Sequence, residues 1–289
     1  MKKILTLIMT AILGIACVFG LTACGEKETT KIKVINVDLS NEQYAFAIKK
    51  GDTAMKESVN NFFKEKKTEI DAIFAKYTAE GVDLSTFGLS DVKTTPTIGS
   101  DSELVVATNL DFAPFEYTNG NKIAGIDMEI AQELAKYLNK TLVIVHMEFD
   151  AVVNSVSTKP EYNIGIAGLT ITPDREEEVD FSDPYFGATQ CVVVKADDTT
   201  FDGITDEKAM EAKLKELTGK AAKCGGQKAT TSQFYVQGSE DFGFEGFKNL
   251  TFSPYSSAAL AVTDMLNGNI AFVVVDKTTA NALANSFNS

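Results

Sequence analysis

From Val105 to Val275, short apolar runs of strand length alternate with stretches of helical periodicity, and this alternation constrains the fold more than any other feature. Strands separated by helices return to one sheet in parallel, so the pattern predicts an α/β architecture with largely parallel sheets. Val105 to Thr108, Leu142 to Val145, Ile164 to Ala167 and the longer β-branched run Thr189 to Lys195 read as strands. So do Ala221 to Gly225, Thr251 to Phe252 and Ile270 to Val275. Between them Ile130, Leu134 and Leu138 recur at fours on one helical face, with Asp127 placed to cap that helix. Lys208 to Leu217 reads as an exposed, charged helix, Ser256 to Leu266 as another, and a third is expected to begin near Thr230 and Thr231.

The start of the chain speaks to location. Lys2 and Lys3 precede an apolar run from Ile4 to Leu21 that ends in LTAC. This predicts a secretory signal over residues 1–23, lipid attachment at Cys24 and a polar tether over 24–31, placing the protein on the extracellular face of the cell membrane. A spanning helix is the weaker reading, because the run falls short of ~20 residues and GEKETTK follows at once. The formal charge is −13; without the two positive charges of Lys2 and Lys3 the mature chain carries −15, which argues against nucleic acid as a partner. About 265 residues after Cys24 suffice for two modest cores. Cys191 and Cys224 remain in the folded part, each in or beside a strand run; two buried thiols are favoured over a metal site, and a disulfide stays open.

The stretch from Val105 to Tyr185 contains clustered aromatics, the hydroxyl of Thr170 and one arginine, Arg175. Together they suit a small zwitterion held noncovalently. The single histidine, His146, ends a strand pattern and reads as structural. No nucleophile elbow, H-E-x-x-H or phosphate loop occurs, so neither enzymatic chemistry nor a cofactor or metal is expected.

The runs VATNLDFAPFEY, GIDMEIAQELAKYL and IAGLTITPDREEEVDFSDPYF, continued by QKATTSQFYV and LNGNIAFVVVD, resemble the polar amino-acid family of extracellular solute-binding proteins of ABC importers over most of residues 103–289. The resemblance implies two α/β lobes joined by two hinge strands, the type II periplasmic-binding-protein fold, closing on ligand. Such chains normally run on past the aspartate matching Asp276 through a second crossing and a closing helix, whereas this one stops at Ser289. The pieces resembling that ending stand at the front: IKVINVDLSNEQYAFAIKKGD and a helical pattern over Thr53 to Tyr77. A circular permutation is therefore expected, with 78–102 bridging the usual ends. Residues 50–188 then form lobe 1, 32–43 and 195–289 form lobe 2, and 44–49 and 189–194 are the crossings. The alternative is a separate front appendage on a truncated receptor.

The resemblance also implies a site. Phe112 and Phe149 match the rings around the ligand, Arg175 the arginine on its carboxylate, and Asp276 the acid on its ammonium. Thr170, Thr230 and Thr231 would contact the carboxylate, and the Gly168 carbonyl the ammonium; Ala229 stands where glycine is common. Asn109, Gln227 and Val275 should tune specificity. None of the three is charged, which favours a polar uncharged L-amino acid such as glutamine. The implied partners are that amino acid, the permease of an ABC importer and, through the lipid, the membrane, with the receptor itself a monomer. A sensory module serving a membrane receptor is the rival reading, and a dehydratase on the same fold a more distant one.

Overall fold

The computed structural model describes residues 31–289, so the signal over 1–23, Cys24 and nearly all of the tether lie outside the described residues. The chain opens with β1 (Ile32–Ile35), β2 (Glu42–Tyr44) and β3 (Ala47–Lys49). Asp52 starts α1 (Thr53–Glu65) by accepting a hydrogen bond from the Met55 N–H at 3.0 Å. The helix expected as one piece over 53–77 is divided at Lys66, and α2 (Lys67–Thr78) follows. A connecting stretch then leads to β4 (Glu103–Thr108), β5 (Asp111–Phe112), β6 (Glu116–Asn119) and β7 (Lys122–Ala124). Next come α3 (Ile126–Tyr137), β8 (Thr141–His146), α4 (Phe149–Thr158), β9 (Ile164–Gly165), α5 (Pro173–Glu178), β10 (Val179–Phe181) and β11 (Phe186–Ala188). The last third holds β12 (Gln190–Lys195), α6 (Glu207–Glu216), β13 (Lys223–Gln227), α7 (Thr231–Gln237), β14 (Thr251–Tyr255), α8 (Ala258–Leu266), β15 (Phe272–Asp276) and α9 (Lys277–Asn288). Among the described residues no helix is long and apolar enough to cross a membrane.

Two five-stranded sheets organise these elements, one ordered β10-β3-β9-β4-β8 and the other β1-β12-β15-β13-β14. Each has two antiparallel pairings followed by two parallel ones. The expectation of largely parallel sheets holds only for the βαβ half of each; strands entering from the crossings join antiparallel. The crossings themselves are displaced. β2 pairs β11 in a separate two-stranded ribbon, while 47–49 and 190–194, expected as parts of the crossings, lie inside the two sheets.

Strand alternation distributes the cores. In β4, Leu104 and Val106 face a cluster containing Val59, Phe62, Ile70 and Ile73, whereas Ala107 faces Val152 and Val156 of α4. In β15, Phe272 and Val274 face α6, and Val273 and Val275 face α8. The front helices α1 and α2 thus share a core with β4, and β1 shares a sheet with β15. The stretch after α2 is docked as well: Leu89 bridges Ile123, Lys93 bridges Val143, and the Tyr117 hydroxyl donates to the Leu84 carbonyl at 2.8 Å. Lys31 and Ile32 donate their N–H groups to Asn288 Oδ1 at 2.7 and 3.0 Å, and Asn288 Nδ2 donates to the Ile32 carbonyl at 2.9 Å. Cys191 and Cys224 are buried free thiols.

Asp127 does not cap α3. Gly125 holds that position, and the fully buried Asp127 carboxylate instead accepts from the Gly168 N–H at 2.9 Å and the Tyr185 hydroxyl at 2.7 Å. Burial raises its pKa to about 6. It braces the loop that carries the cleft floor.

Candidate ligand-binding cleft

A narrow cleft with almost no free volume lies beyond the carboxyl ends of the central strands, where open α/β sheets place their ligands. Nine of the ten sequence-derived positions line it: Phe112, Phe149, Gly168, Thr170, Arg175, Gln227, Thr230, Thr231 and Asp276, with Tyr44 and Ala167 completing the wall. Asn109, the tenth, does not. It is 1% exposed, its Nδ2 donates to the Met147 carbonyl, and its Oδ1 accepts from Gln227 Nε2 at 2.9 Å.

Arg175 belongs to α5, whose cap is the Thr172 hydroxyl accepting from the Arg175 N–H at 3.2 Å. Its guanidinium donates to the carbonyls of Thr170 at 2.7 Å and Ala229 at 3.3 Å, and lies 5.3 Å from the centre of the Phe149 ring. No carboxylate lies within ion-pairing distance of it among the described residues. Desolvation lowers its pKa to about 10, opposed by Glu42, Tyr44 and Asp276, so the group stays charged at neutral pH. A cation with carbonyl and ring partners but no counter-ion is poised to receive an anion.

Asp276 closes the opposite side. It ends β15, is 5% exposed, and accepts a hydrogen bond from the Tyr44 hydroxyl. It occupies the N-cap position of α9 without a side-chain cap bond, so its carboxylate serves the cleft rather than the helix. Burial first, and Glu42 second, raise its pKa to about 7 against the hydrogen bonds from Tyr44 and Gln190. Glu42, also buried, accepts from Ser40 Oγ, Gln190 Nε2 and Thr170 Oγ1 at 2.6, 3.0 and 2.8 Å.

Two of the expected hydroxyl donors, those of Thr170 and Thr230, are occupied in this state, whereas the Thr231 hydroxyl is engaged as an acceptor. The Thr170 hydroxyl serves Glu42, that of Thr230 donates to the Gln227 carbonyl at 2.7 Å, and that of Thr231 accepts from Gln190 Nε2 at 3.0 Å. Ala229 has φ 58, the left-handed conformation for which glycine is the usual occupant. Gly168 has φ 53, and a Cβ there would lie 3.0 Å from Phe112 Cε1, so the ring sits against bare backbone. Phe112 stacks on Phe115 with centroids 5.7 Å apart. His146 accepts at Nδ1 from the Leu110 N–H at 3.0 Å, a structural role. Tyr44 and Glu42 escaped sequence reasoning; their position just ahead of the AFAIKK run, where a crossing meets the cleft floor, is the signal that marks them.

The profile of bacterial extracellular solute-binding proteins, family 3, matches residues 104–288. The arginine-binding extracellular protein ArtP of Bacillus subtilis (strain 168) is 36% identical over 34% of this chain and 40% of its own length. The arginine-bound form of a truncated ArgBP from T. maritima superposes with TM-score 0.54 at 31% identity, covering 64% of this chain and 78% of that one. An ancestral arginine-binding protein bound to glutamine gives 0.53 at 29% identity, covering 65% and 75%. The chain spans about 40% of the first curated relative's length. With a profile match over well more than half its length and two sheets flanking one cleft, this chain belongs to the bacterial extracellular solute-binding proteins, family 3, and has their two-lobed α/β fold.

Proposed function

We propose that the protein is an extracellular receptor that binds an L-amino acid between its lobes and delivers it to the permease of an ABC importer. The carrying observation is that Arg175, a cation with no ion-pair partner among the described residues, and the buried acid Asp276 line one cleft. An α-carboxylate on the first and an α-ammonium on the second complete both, and Phe112 and Phe149 flank the side chain. The neutral Asn109–Gln227 pair near that end favours a polar uncharged ligand, glutamine foremost. Relatives named for arginine and histidine make those the competitors to test. The receptor acts as a monomer, held to the membrane by lipid at Cys24.

Calorimetric titration of residues 25–289 with glutamine, arginine, lysine and histidine tests this, with glutamine expected tightest. The ammonium stabilises ionised Asp276, so binding releases a proton wherever the free acid is protonated. Affinity should rise from pH 5 towards 7, approaching tenfold per unit, and level off above. The unliganded fold behaves oppositely: a carboxyl whose pKa is raised from 3.8 to about 7 contributes stability below 3.8 that is lost as pH rises through 7. No binding by any L-amino acid would sink the proposal.

The order of the pieces is permuted on this reading: 50–188 form lobe 1, with 78–102 as the bridging linker, and 32–43 with 195–289 form lobe 2. The shared core of α1, α2 and β4, the shared sheet of β1 and β15, and the Asn288 contacts between the described ends support it. A rearranged gene that starts at Glu103 and carries residues 31–78 after Ser289 should fold with a melting temperature within a few degrees of the parent. An unfolded product would favour a separate front appendage.

A further inference from the structure

The three residues from Gln227 to Ala229 contact the other lobe, and one of them makes a contact that the ligand does not need. Lys228 Nζ lies 3.2 Å from Glu148 Oε2 and 3.2 Å from Asp150 Oδ2. These two carboxylates begin α4 on either side of Phe149, the ring beneath Arg175. Neither has another ion-pair partner among the described residues. Lys228 itself is held in place, since its N–H donates to the Tyr255 carbonyl at 2.9 Å.

We propose that Lys228 is a latch and positioning residue: its ammonium bridges Glu148 and Asp150 across the cleft mouth, stabilises the closed lobes, and fixes the turn that presents Phe149 to the cavity. The inference rests on the amino-acid reading for its effect on affinity. Exposed ion pairs contribute little to folding, and all three side chains are partly solvated, at 36%, 55% and 44% exposure. These pairs form only when the lobes meet, so what they contribute appears in the open–closed equilibrium rather than in the stability of either lobe. Opening leaves two neighbouring carboxylates at the start of α4, tolerated there because a helix N-terminus favours negative charge. The charges therefore need no partner in the open form, and the bridge remains reversible.

Lys228→Met should weaken amino-acid binding roughly three- to tenfold at low salt, mainly by faster dissociation, while the unliganded melting temperature stays put. The parent should lose affinity between ~0.02 M and ~0.5 M salt, as screening shortens to a few ångströms, and the variant should not. Lys228→Arg should restore most of the effect, and Lys228→Glu combined with Glu148→Lys should recover part of it. An unchanged dissociation constant with the parent's salt slope overturns the latch. Small-angle scattering of the unliganded proteins separates this failure from that of the ligand assignment. Lys228→Glu should show a larger radius of gyration than the parent at low salt, with the difference vanishing at high salt. Equal radii in both salts overturn the latch whatever the titrations give. A salt-sensitive difference alongside failed titrations overturns only the amino-acid assignment.

Discussion

Arg175→Ala should abolish amino-acid binding, by about a hundredfold or more, while the melting temperature moves by no more than a few degrees. The guanidinium fork meets a carboxylate through two parallel charge-assisted bonds, each contributing about 1.5–3 kcal/mol, and alanine leaves the incoming anion without a partner. The fold loses little. Of the two carbonyls that accept from Arg175, that of Thr170 lines the cleft and that of Ala229 adjoins the lining residue Thr230, so water would reach both when the lobes part, and the cost of desolvating the cation disappears with it. Arg175→Lys keeps the charge and loses the fork, so its affinity should fall between alanine and parent. Calorimetry supplies the dissociation constants and thermal melts the fold control. If Arg175→Ala binds like the parent, the cleft assignment is wrong.

The largest stability loss is expected at Gly125, at the start of α3. Its φ is +130°, and a Cβ would lie 2.0 Å from the Phe115 carbonyl oxygen and 2.5 Å from the carbonyl carbon. Both are backbone atoms, so no side-chain rotamer relieves the clash. Gly125→Ala should destabilise by about 3–5 kcal/mol, lowering the melting temperature by roughly 10 °C. Gly120→Ala supplies the comparison. It shares a positive φ, 58°, but has nothing within 4 Å of the new Cβ, and should cost only about 1 kcal/mol. A loss below about 1 kcal/mol at Gly125 would refute steric exclusion as its role.

The alternation of strands and helices after Val105 is enough to place β4, β8, β9 and β15, because a buried parallel strand needs a continuous apolar run, while β13, with its two glycines, is shifted two residues beyond the stretch expected for it. The antiparallel partners β1, β3 and β10 were less legible. They are three or four residues long, and what fixes them is pairing with residues far away in sequence. Phe112, Phe149, Arg175 and Asp276 are implied by the family resemblance, and all four line the cleft. Tyr44 was not: a tyrosine in a crossing segment carries no periodic signal, and only the approach of β2 to the end of β15 makes it a partner of Asp276. Asn109 and Gln227 read as separate specificity positions because one-dimensional spacing cannot show that their amides bond to each other. Asp127 had the residue type and place of a cap, but the Gly168 N–H and the Tyr185 hydroxyl, distant in sequence, claimed its carboxylate.

The two-stranded ribbon between the sheets is only three residue pairs long, Glu42 with Ala188, Gln43 with Gly187 and Tyr44 with Phe186. Tyr44 thus belongs to the segment that would flex if the proposed lobes rotate, and its hydroxyl rests on Asp276, the acid proposed for the ligand's ammonium. Sensor and spring are one object. On the proposed reading, occupancy would change the load on Asp276, and the Tyr44 hydroxyl would pass that load to the ribbon directly. Stiffening the ribbon would then be indistinguishable, at equilibrium, from altering the ligand site: a receptor of this design tunes affinity by its mechanics as readily as by its chemistry.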